Sequence, residues 1–327
     1  MYSFLKDNDC LFFSPAHNTL PHHIRINFWP IRFLKQAGVS LWLYFNAQRL
    51  ISRHNLNKLN IHTGPGGVLL IRKLTIPVIV TCHHTYRQQY TYIKSQFWKR
   101  IFLPFELRTY QLATKIVCVS AATKNALVHQ YGISEKKIIV IHNAVDIRRF
   151  HPLDTGKKPL SLLYIGRLDK RKGIEFLIRS MPLVVRTIPG AQLLVGGKGM
   201  YLEKMKSLVR QLGLERNISF LGFVTDDQLN ARYNQAQCVV VPSIFEGFGI
   251  TVIEALAAGT RVVGTDTDGI REILQNHDYG QLVPYGNTRA LADAIITELR
   301  EPKMASELKP EYRDDMLRDR YVELLNG

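Results

Sequence analysis

Short apolar runs alternate with longer amphipathic stretches throughout the second half of the chain. The apolar runs predict strands at residues 160–165, 192–195, 217–221, 238–241, 261–264 and 281–283. The stretches between them have the apolar spacing of helices, at about 173–187, 200–212, 226–235, 250–258, 270–275 and 288–299. Strands that alternate with helices indicate a parallel sheet covered on both faces. Such a sheet binds ligands beyond the carboxyl ends of its strands.

The first half shows the same alternation less regularly. Strands are predicted at 59–62, 77–81, 116–120 and 138–141, and helices at 68–74, 90–113 and 121–131. Residues 31–54 fit one long helix and a helix followed by a strand equally well. The polar stretch at 142–159 contains prolines and a glycine and is typical of a linker. We therefore expect an N-terminal domain at 1–148 and a C-terminal domain at 149–310, with a last helix in 311–327 that packs back on the first domain.

Positive charge is concentrated in the first half. Residues 1–150 hold 20 Lys and Arg against 5 Asp and Glu, whereas residues 151–327 hold 23 against 22. This asymmetry indicates that the first half meets an anionic surface, although an ordinary solvated basic surface explains it too. Aromatic and basic residues interleave between Tyr90 and Arg108, which suits a membrane interface and, equally, a core face with a solvated edge.

The remaining composition is that of a reduced, cytoplasmic protein. The four cysteines are scattered, with no CxxC pair and no zinc-binding spacing. No stretch reaches the roughly 20 consecutive apolar residues of a spanning helix, and residues 1–10 lack the apolar segment of a signal peptide. We expect a cytoplasmic protein whose basic half can contact the inner face of the cytoplasmic membrane.

Two glutamates follow the predicted strand at 238–241. Glu246 lies in the loop after that strand, and Glu254 lies in the first turns of the next helix. Gly247 and Gly249 stand at the strand-to-helix turn, where backbone N–H groups can bind phosphate. Carboxylates beside such a turn would repel phosphate, so we expect them to accept hydrogen bonds from hydroxyl groups. A ligand with both groups is a nucleotide or a nucleotide-sugar, although a single early glutamate would also favour the helix dipole.

Two further strand ends carry residues suited to the same ligand. The loop at 166–173 offers the planar guanidinium of Arg167 and the point charge of Lys172, which suit a diphosphate. Gly166 opens this loop, and Gly197 lies in the glycine-rich turn after the next strand; both let the backbone approach a ligand. Each loop alone is equally explained as a solvated loop or an ordinary turn, but the three together favour one nucleotide site.

A pair of histidines follows the predicted strand at 77–81. A lone histidine is more often structural, but His83 and His84 are adjacent, in a loop at the carboxyl end of a strand, which favours a function. We expect them to face the same cleft as the nucleotide site, from the opposite domain.

These motifs resemble glycosyltransferase family 4, a group of retaining enzymes with the GT-B fold. The similarity extends over about 59–300, and its motifs are 142–146, 166–173, 246–254, 257–263 and 268–273. It implies an α/β fold of two Rossmann-like domains, each with a parallel sheet, that face a cleft. It also implies transfer of a sugar from a nucleotide-diphosphate sugar to an acceptor hydroxyl with retention, in cell-surface polysaccharide or glycolipid synthesis.

The resemblance assigns a role to each residue on the donor side. Arg167 and Lys172 would clamp the donor diphosphate, and Glu254 would bind the ribose. Glu246 would lie near the donor sugar, assisted by backbone N–H groups around Phe248 and Gly249.

The resemblance also gives one histidine a role. His83 occupies the Thr-x-His position of the family and would contact the reacting sugar, with His84 as the alternative. The expected catalytic residues are therefore His83, Glu246, Arg167 and Lys172.

We expect neither a metal nor another cofactor. No acidic pair suits a metal, because Asp266 and Asp268 lie nearer to another loop than to the phosphates. Under the resemblance, cationic side chains would replace the metal that other transferases use. The expected partners are a nucleotide-sugar donor, a glycan or lipid-linked acceptor and an anionic membrane, with nucleic acid disfavoured.

The start of the chain departs from the family pattern. Members of the family open with a strand and a glycine-rich loop that approaches the diphosphate, and no such loop precedes Gly64. We therefore expect an incomplete N-terminal domain that lacks a βα unit of about 30 residues. A truncated chain of this kind would bind a donor or an anionic surface without transferring a sugar. The other alternative is a nucleotide-sugar epimerase or a phosphorylase of the same fold, whereas a dehydrogenase is disfavoured because no GxGxxG motif opens a βαβ unit.

Overall fold

The computed structural model describes residues 12–14, 23–25, 35–64, 68–70, 72–275 and 278–326. The chain divides into two compact units, Met1–Asn143 with Leu317–Gly327, and Ala144–Met316. Each unit contains its own parallel sheet. The α/β fold class expected from the alternation of strands and helices is confirmed.

The first unit is built on a parallel sheet of four strands. Its described strands are β1 (Phe12–Ser14), β2 (His23–Arg25), β3 (Leu59–Thr63), β4 (Val78–Cys82), β5 (Lys115–Cys118) and β6 (Ile138–Val140). Strands β3 to β6 form the sheet in that order, and β1 and β2 form a separate parallel pair. The helices between them are α1 (Lys35–His54), α2 (Tyr86–Tyr92), α3 (Leu103–Leu112) and α4 (Ala121–Tyr131).

The second unit is built on a parallel sheet of six strands. They are β7 (Ser161–Ile165), β8 (Gln192–Gly196), β9 (Ile218–Gly222), β10 (Cys238–Val241), β11 (Val262–Thr265) and β12 (Gly280–Val283). The helices are α5 (Ile174–Thr187), α6 (Leu202–Gln211), α7 (Asp226–Gln235), α8 (Ile250–Ala257), α9 (Asp268–Leu274) and α10 (Thr288–Arg300). Helix α11 (Asp314–Asn326) starts in this unit and passes into the first unit at Leu317. The strand order is β12-β11-β10-β7-β8-β9, so the direction of winding reverses between β7 and β10. Parallel sheets bind ligands beside the strand ends at such a reversal.

The sheet of the second unit is held rigid by helices on its faces. All positions of β10 and β11 are buried. Helices α5 and α10 contribute Leu177, Met181, Leu291 and Ile295 to the same core. Burying each of these side chains contributes about 1.5–3 kcal/mol. The loops that leave the carboxyl ends of β7 and β10 therefore start from fixed positions.

The last helix, α11, begins beside the linker and continues along the first unit. The Val145 N–H donates to the Tyr312 carbonyl at 2.9 Å, and the Asp314 N–H donates to the Val145 carbonyl at 3.1 Å. Farther along, the Arg320 guanidinium donates to the carbonyl of Val140, at the end of β6, at 2.9 Å. These bonds satisfy backbone groups at the end of β6 and in the linker.

The helix predicted over 68–74 is wrong at every described position. Positions 68–70 and 72–74 belong to no helix or strand. The N–H of Leu69 donates to Ser40 Oγ, and that of Leu70 donates to Thr109 Oγ1, both at 2.9 Å. Side chains of α1 and α3 therefore take the place of the backbone partners that a helix would provide. A local apolar pattern does not reveal such distant partners.

The single helix predicted over 90–113 is also wrong, because the chain breaks there into three segments. Helix α2 ends at Tyr92, a 3₁₀ helix spans Lys94–Phe102, and α3 begins at Leu103. Pro104 lies in the first turn of α3. Its missing N–H is harmless there, whereas inside a continuous helix it would remove a backbone hydrogen bond.

Helix α1 forms one continuous element over Lys35–His54. The sequence left open whether 31–54 forms one long helix or a helix followed by a strand, and the structure has one helix over the described part. Positions 31–34 lie outside the described residues. Of all the helices in the described ranges, none is both long and apolar enough to cross a bilayer. The expected lack of an opening strand and a glycine-rich loop concerns the start of the chain and stays a prediction. The short strands β1 and β2 lie there but do not join the four-stranded sheet, and the other residues before position 35 lie outside the described residues.

Gly173 connects the loop after β7 to α5 with a φ of +68°, and a Cβ there would lie 1.7 Å from the carbonyl oxygen of Pro242. We predict that Gly173→Ala destabilises the protein by well over about 1 kcal/mol, because left-handed backbone and a backbone clash both oppose it. Gly213 is the matched control, since its φ is +64° but a Cβ there would have no other atom within 4 Å. Urea unfolding should show a clearly larger loss for Gly173→Ala than for Gly213→Ala. Equal losses would contradict the close approach of the two loops.

Candidate functional site

The loops after β7 and β8 are joined by backbone hydrogen bonds. The Gly166 N–H donates to the Gly196 carbonyl at 3.0 Å, and the Leu168 N–H donates to the Lys198 carbonyl at 2.9 Å. A Cβ on Gly197 would lie 1.8 Å from the Gly166 carbonyl oxygen. Gly197, one of the two glycines that the sequence offers for ligand approach, is therefore required for the two loops to pack against each other.

The basic loop after β7 is fixed by internal hydrogen bonds, and the Arg167 side chain projects from it into solvent. Asp169 begins a short 3₁₀ turn, Lys170–Lys172, and its Oδ1 accepts the N–H of Lys172 at 3.1 Å. The Tyr164 hydroxyl donates to the Arg167 carbonyl at 3.0 Å. The Arg167 side chain is 72% exposed, and its one ion pair in the described part of the chain is with Asp169, at 3.6 Å. Arg167 is therefore available to an incoming anion.

Glu246 and two cations of the basic loop form a buried cluster, which we call the Glu246 cluster. The Lys172 ammonium donates to Glu246 Oε1, and the Ser243 hydroxyl donates to the same oxygen at 3.0 Å. The Arg171 guanidinium lies 3.4 Å from Oε2 and donates to the Phe245 carbonyl at 3.1 Å. The cluster therefore links the loop after β7 to the loop after β10, across the reversal of strand order.

The Glu246 cluster keeps its carboxylate charged. Burial raises the pKa of Glu246, but the charges of Lys172 and Arg171 and the hydrogen bonds to the carboxylate outweigh it, and the pKa lies below the ordinary value. The carboxylate thus loses its charge only in acid, below the usual titration range of glutamate. At neutral pH the cluster carries two positive charges and one negative charge, which leaves a net positive site.

Glu254, the second predicted glutamate, lies on α8, the helix that follows the Glu246 loop and begins after Gly249. Its Oε2 accepts the hydroxyl of Tyr233, on α7, at 2.8 Å. Burial raises the pKa of Glu254 above the ordinary value. No other group in the described ranges of the chain donates a hydrogen bond to this carboxylate, so Oε1 can accept one from a ligand.

Phe248, whose backbone N–H the sequence offers to the donor, has a buried side chain. Its side chain is 3% exposed, and its ring meets the Tyr312 ring at a centroid distance of 5.8 Å. This packing anchors the turn that leads from Glu246 to α8. The turn therefore has a fixed shape, as the predicted use of its N–H groups requires.

The histidine loop of the first unit comprises residues 83–85, between β4 and α2. His83 Nε2 lies 2.9 Å from Nδ1 of His62, on β3. Burial lowers the pKa of both rings, that of His62 to about 3, to which its neighbour His83 contributes. Both imidazoles are therefore uncharged at neutral pH, and one donates to the other. Thr85 ends the loop in a capping box with Gln88, which fixes the start of α2.

The structure adds partners that the motifs did not reveal. Arg171, Ser243, Tyr233 and His62 each contact a predicted site residue. Arg171 stands between two other basic residues, and nothing in the local sequence distinguishes it from a solvated cation. His84, the alternative to His83, is also partly buried beside it. No group of three or more metal-ligating side chains occurs in the described portion of the chain.

Comparison with known families identifies the group to which the protein belongs. Residues 147–315 match the family described as Glycosyl transferases group 1, and residues 6–149 match Glycosyltransferase Family 4. The first match alone covers more than half of the chain. The chain belongs to the family 4 type of glycosyltransferases, as its motifs indicate.

Its relatives are longer proteins. An uncharacterized glycosyltransferase of Methanocaldococcus jannaschii is 31% identical over 239 residues, which cover 68% of this chain and 61% of that protein. A phosphatidyl-myo-inositol mannosyltransferase of Mycobacterium leprae is 38% identical over 164 residues, which cover 50% of this chain and 40% of the relative. The chain thus spans less than two-thirds of the length of either relative.

Solved structures share the fold at low sequence identity. The sucrose-phosphate synthase of Thermosynechococcus elongatus matches with a TM-score of 0.80 and 22% identity, over 95% of this chain and 84% of that one. The Anabaena protein HepE, solved with UDP and glucose, matches with a TM-score of 0.65 and 19% identity, over 77% of this chain and 72% of that one. The fold is therefore the GT-B fold of glycosyltransferases.

We predict that Lys172→Met destabilises the protein by about 3 kcal/mol at pH 7, because it leaves a buried carboxylate with one cation fewer. The lowered pKa of Glu246 means that the cluster stabilises the fold above the usual glutamate pKa and loses this effect as pH falls through the lower, folded value. The loss on Lys172→Met should therefore shrink in acid. Urea unfolding at several pH values measures it, with the exposed Lys170→Met as control.

The double variant Lys172→Met/Glu246→Gln shows whether the single variant loses stability through the broken ion pair or through the changed packing of the side chain. Without the buried charge, it should recover most of the stability that Lys172→Met alone loses. A double variant no more stable than the single one would contradict the pairing.

Proposed function

We propose that this protein transfers a sugar from a nucleotide-diphosphate sugar to an acceptor hydroxyl, with retention at the anomeric carbon. The observation that carries the proposal is the Glu246 cluster, in which Lys172 and Arg171 meet a buried carboxylate beside the reversal between β7 and β10. Fixed cations at this point of a parallel sheet suit a diphosphate. Arg167, exposed beside them, adds a planar fork of donors.

The leaving diphosphate is the group whose charge the protein must stabilise. Negative charge collects on it as the bond between the anomeric carbon and the phosphate oxygen breaks. An ammonium has three N–H donors, so Lys172 can remain bound to Glu246 and also bind a phosphate oxygen. A fixed donor of this kind contributes about 3–4 kcal/mol to stabilising the transition state. Cationic side chains would in this way do the work of a metal ion.

Glu246 has two tasks in the proposed reaction. It fixes the ammonium of Lys172 before the donor arrives, and its charge lies near the donor sugar, where positive charge develops at the anomeric carbon. Backbone N–H groups around Phe248 and Gly249 would complete the contacts to the donor.

Glu254 would bind the ribose of the nucleotide. Tyr233 occupies one carboxylate oxygen, which leaves the other to accept a ribose hydroxyl. Because the pKa of Glu254 is raised, this acceptor is lost earlier than usual as the solution is acidified. Donor affinity should therefore fall as pH drops through that raised pKa.

His83 would contact the transferred sugar as an uncharged imidazole. Retention requires the acceptor oxygen to attack the face that the diphosphate leaves. The new bond joins the acceptor oxygen to the anomeric carbon, and the acceptor proton passes to a leaving phosphate oxygen. The proposed role of His83 is therefore to hold a sugar hydroxyl by a hydrogen bond, and the proton transfer needs no protein base.

The relatives support the substrate class. HepE was solved with UDP and glucose, and the Mycobacterium leprae relative is named a mannosyltransferase of phosphatidyl-myo-inositol. We infer a nucleotide-sugar donor and a glycan or lipid-linked acceptor, used in making a cell-surface polysaccharide or glycolipid.

The donor clamp is tested with Arg167→Ala and Lys172→Ala, against Lys170→Ala as the matched control. A calorimetric screen of UDP, GDP, ADP and their sugars first identifies the donor for the unaltered protein. Loss of Lys172 or Arg167 should then lower the rate of sugar transfer by about 10²–10³-fold. Lys170, exposed in the same turn, should be replaceable without effect.

Three outcomes would contradict the proposal. They are full transfer by Lys172→Ala, undiminished donor affinity in Glu254→Gln, and no nucleotide binding by the unaltered protein. Product analysis separates an epimerase, which converts the sugar without an acceptor, from a transferase, which forms a new glycoside.

The segment 97–105 favours contact with a membrane over burial in a core. Phe97, Trp98, Ile101 and Phe105 are 48–63% exposed. The Arg100 guanidinium lies 4.6 Å from the Phe97 ring centroid, so basic and aromatic groups share one surface. Exposed aromatic side chains among cations suit the interface of an anionic bilayer. We propose that this surface contacts the cytoplasmic membrane from its inner face, where a lipid-linked acceptor would lie.

Vesicle sedimentation tests the membrane contact. The protein should sediment with anionic phosphatidylglycerol vesicles at low salt and remain in solution with phosphatidylcholine vesicles, because the basic residues need an anionic surface. Trp98→Ser/Ile101→Ser should abolish sedimentation, whereas Met200→Ser, at an exposed apolar position of the second unit, should not. Sedimentation of the double variant at the unaltered level would contradict this role of the segment.

A further inference from the structure

A fully buried glutamate, Glu106 on α3, lies at the centre of a hydrogen-bond network in the first unit. The Tyr86 N–H donates to both of its oxygens, at 3.0 and 3.2 Å. The Tyr110 hydroxyl donates to Oε1 at 3.0 Å, and the Tyr131 hydroxyl donates to Oε2. Glu106 is 0% exposed. One carboxylate therefore connects the start of α2, the middle of α3 and the end of α4.

Hydrogen bonds link the Glu106 network to both ends of the histidine loop. The loop, residues 83–85, is preceded by Cys82 and followed by Tyr86. The Tyr86 N–H binds Glu106 directly, and Cys82 Sγ lies 3.2 Å from the Tyr110 hydroxyl, which itself donates to Glu106. The three residues of the histidine loop thus lie between Cys82 and Tyr86, and both of these residues are linked to the carboxylate of Glu106. These two links hold the His83 backbone, together with the hydrogen bond that the His83 N–H donates to the Thr63 carbonyl at 3.4 Å.

Packing alone does not explain a carboxylate at this position. Burying a charged carboxylate is unfavourable, and an apolar side chain of similar size commonly stabilises a core as well or better. The donors that reach Glu106 are a backbone N–H and two phenols. The Tyr86 N–H is one of the groups at a helix start that have no partner within the helix. The capping box of Thr85 and Gln88 does not include the Tyr86 N–H, and Glu106 supplies an acceptor for it at the end of the histidine loop.

We infer that Glu106 is a positioning residue, which holds the histidine loop so that His83 keeps its hydrogen bond to His62. The relevance of this bond to catalysis rests on the proposed function. The placement of His83 by Glu106 does not, because it follows from contacts within the first unit.

The hydrogen bonds that Glu106 accepts depend on its charge state. Burial raises its pKa to about 7, despite the hydrogen bonds that favour the charged form. The groups that face it are the phenols of Tyr110 and Tyr131 and, one contact away, the thiol of Cys82, and burial raises the pKa of each, so all are uncharged at neutral pH. A protonated Glu106 must itself donate, so one of its hydrogen bonds has to reverse or break.

The test observes the histidine rings directly. Long-range ¹H–¹⁵N spectra of the ¹⁵N-labelled full chain report the tautomer of each ring, and His83→Gln and His62→Gln assign the two signals. Glu106→Gln has nearly the same shape but places an amide N–H₂ among donors. We expect it to shift the signals of both rings and to alter the tautomer of His83. Glu135→Gln, at an exposed acid of the same unit, is the matched control and should change neither.

A second variant keeps the inference testable where Glu106→Gln fails to fold. Tyr131→Phe removes one donor and leaves the ring, and it should shift the His83 signal in the same direction by a smaller amount. Unchanged His83 and His62 signals in a folded Glu106→Gln, or in Tyr131→Phe when Glu106→Gln does not fold, would overturn the inference. Near-ultraviolet circular dichroism establishes that each variant is folded.

Kinetics separate this inference from the proposed function. If both hold, Glu106→Gln should lower kcat by about 10–100-fold, as expected for a misplaced contact, with the KM for the donor unchanged. A protein that transfers no sugar in any form would defeat the proposed function, while the shift of the His83 signal would still support the positioning role. Unchanged kcat together with a shifted His83 signal would instead show that Glu106 places His83 and that His83 does not serve the reaction.

Discussion

A buried carboxylate that keeps its charge is the constraint on which the proposed donor site depends. The charge of Glu246 is compensated by Lys172 and Arg171, which lie 74 and 75 residues earlier in the chain. Charges removed from water need close partners and further hydrogen bonds. The loop after β7 must therefore approach the loop after β10, and Gly173 makes that approach feasible because any Cβ would strike Pro242. The two loops hold a fixed shape beside the reversal of strand order.

Lys172 and Arg167 differ in how firmly their side chains are held before a ligand binds. Lys172 is held by an ion pair, so it can stabilise charge on a leaving group without much rearrangement. Arg167 is exposed and only loosely paired, and it must give up side-chain freedom when it binds an anion. In return, the exposed planar guanidinium can adjust to the geometry of an incoming anion. A fixed point charge and an adaptable fork together suit a flexible diphosphate.

The surroundings of three glutamates, Glu246, Glu254 and Glu106, shift their pKa values in different directions. Two adjacent cations lower the pKa of Glu246 in spite of its burial. Glu254 and Glu106 have neutral hydrogen-bond donors, and burial raises the pKa of both. The first is suited to hold cations, the second to accept from a hydroxyl, and the third to fix a helix start and the loop before it. Residue type alone distinguishes none of these roles.

The sequence by itself determined the alternating α/β pattern and the main donor-side candidates, Arg167, Lys172, Glu246 and Glu254. Apolar runs and motif spacing are local properties, and parallel strands bring the loops after them to one edge of a sheet. The failed helix at 68–74 and the overlooked Arg171 have the opposite origin. Their partners lie dozens of residues away, at separations of 29, 39 and 75 positions. Only the tertiary structure decided which cations pair with Glu246 and which acid holds the histidine loop, because burial and hydrogen bonding between distant segments create those environments.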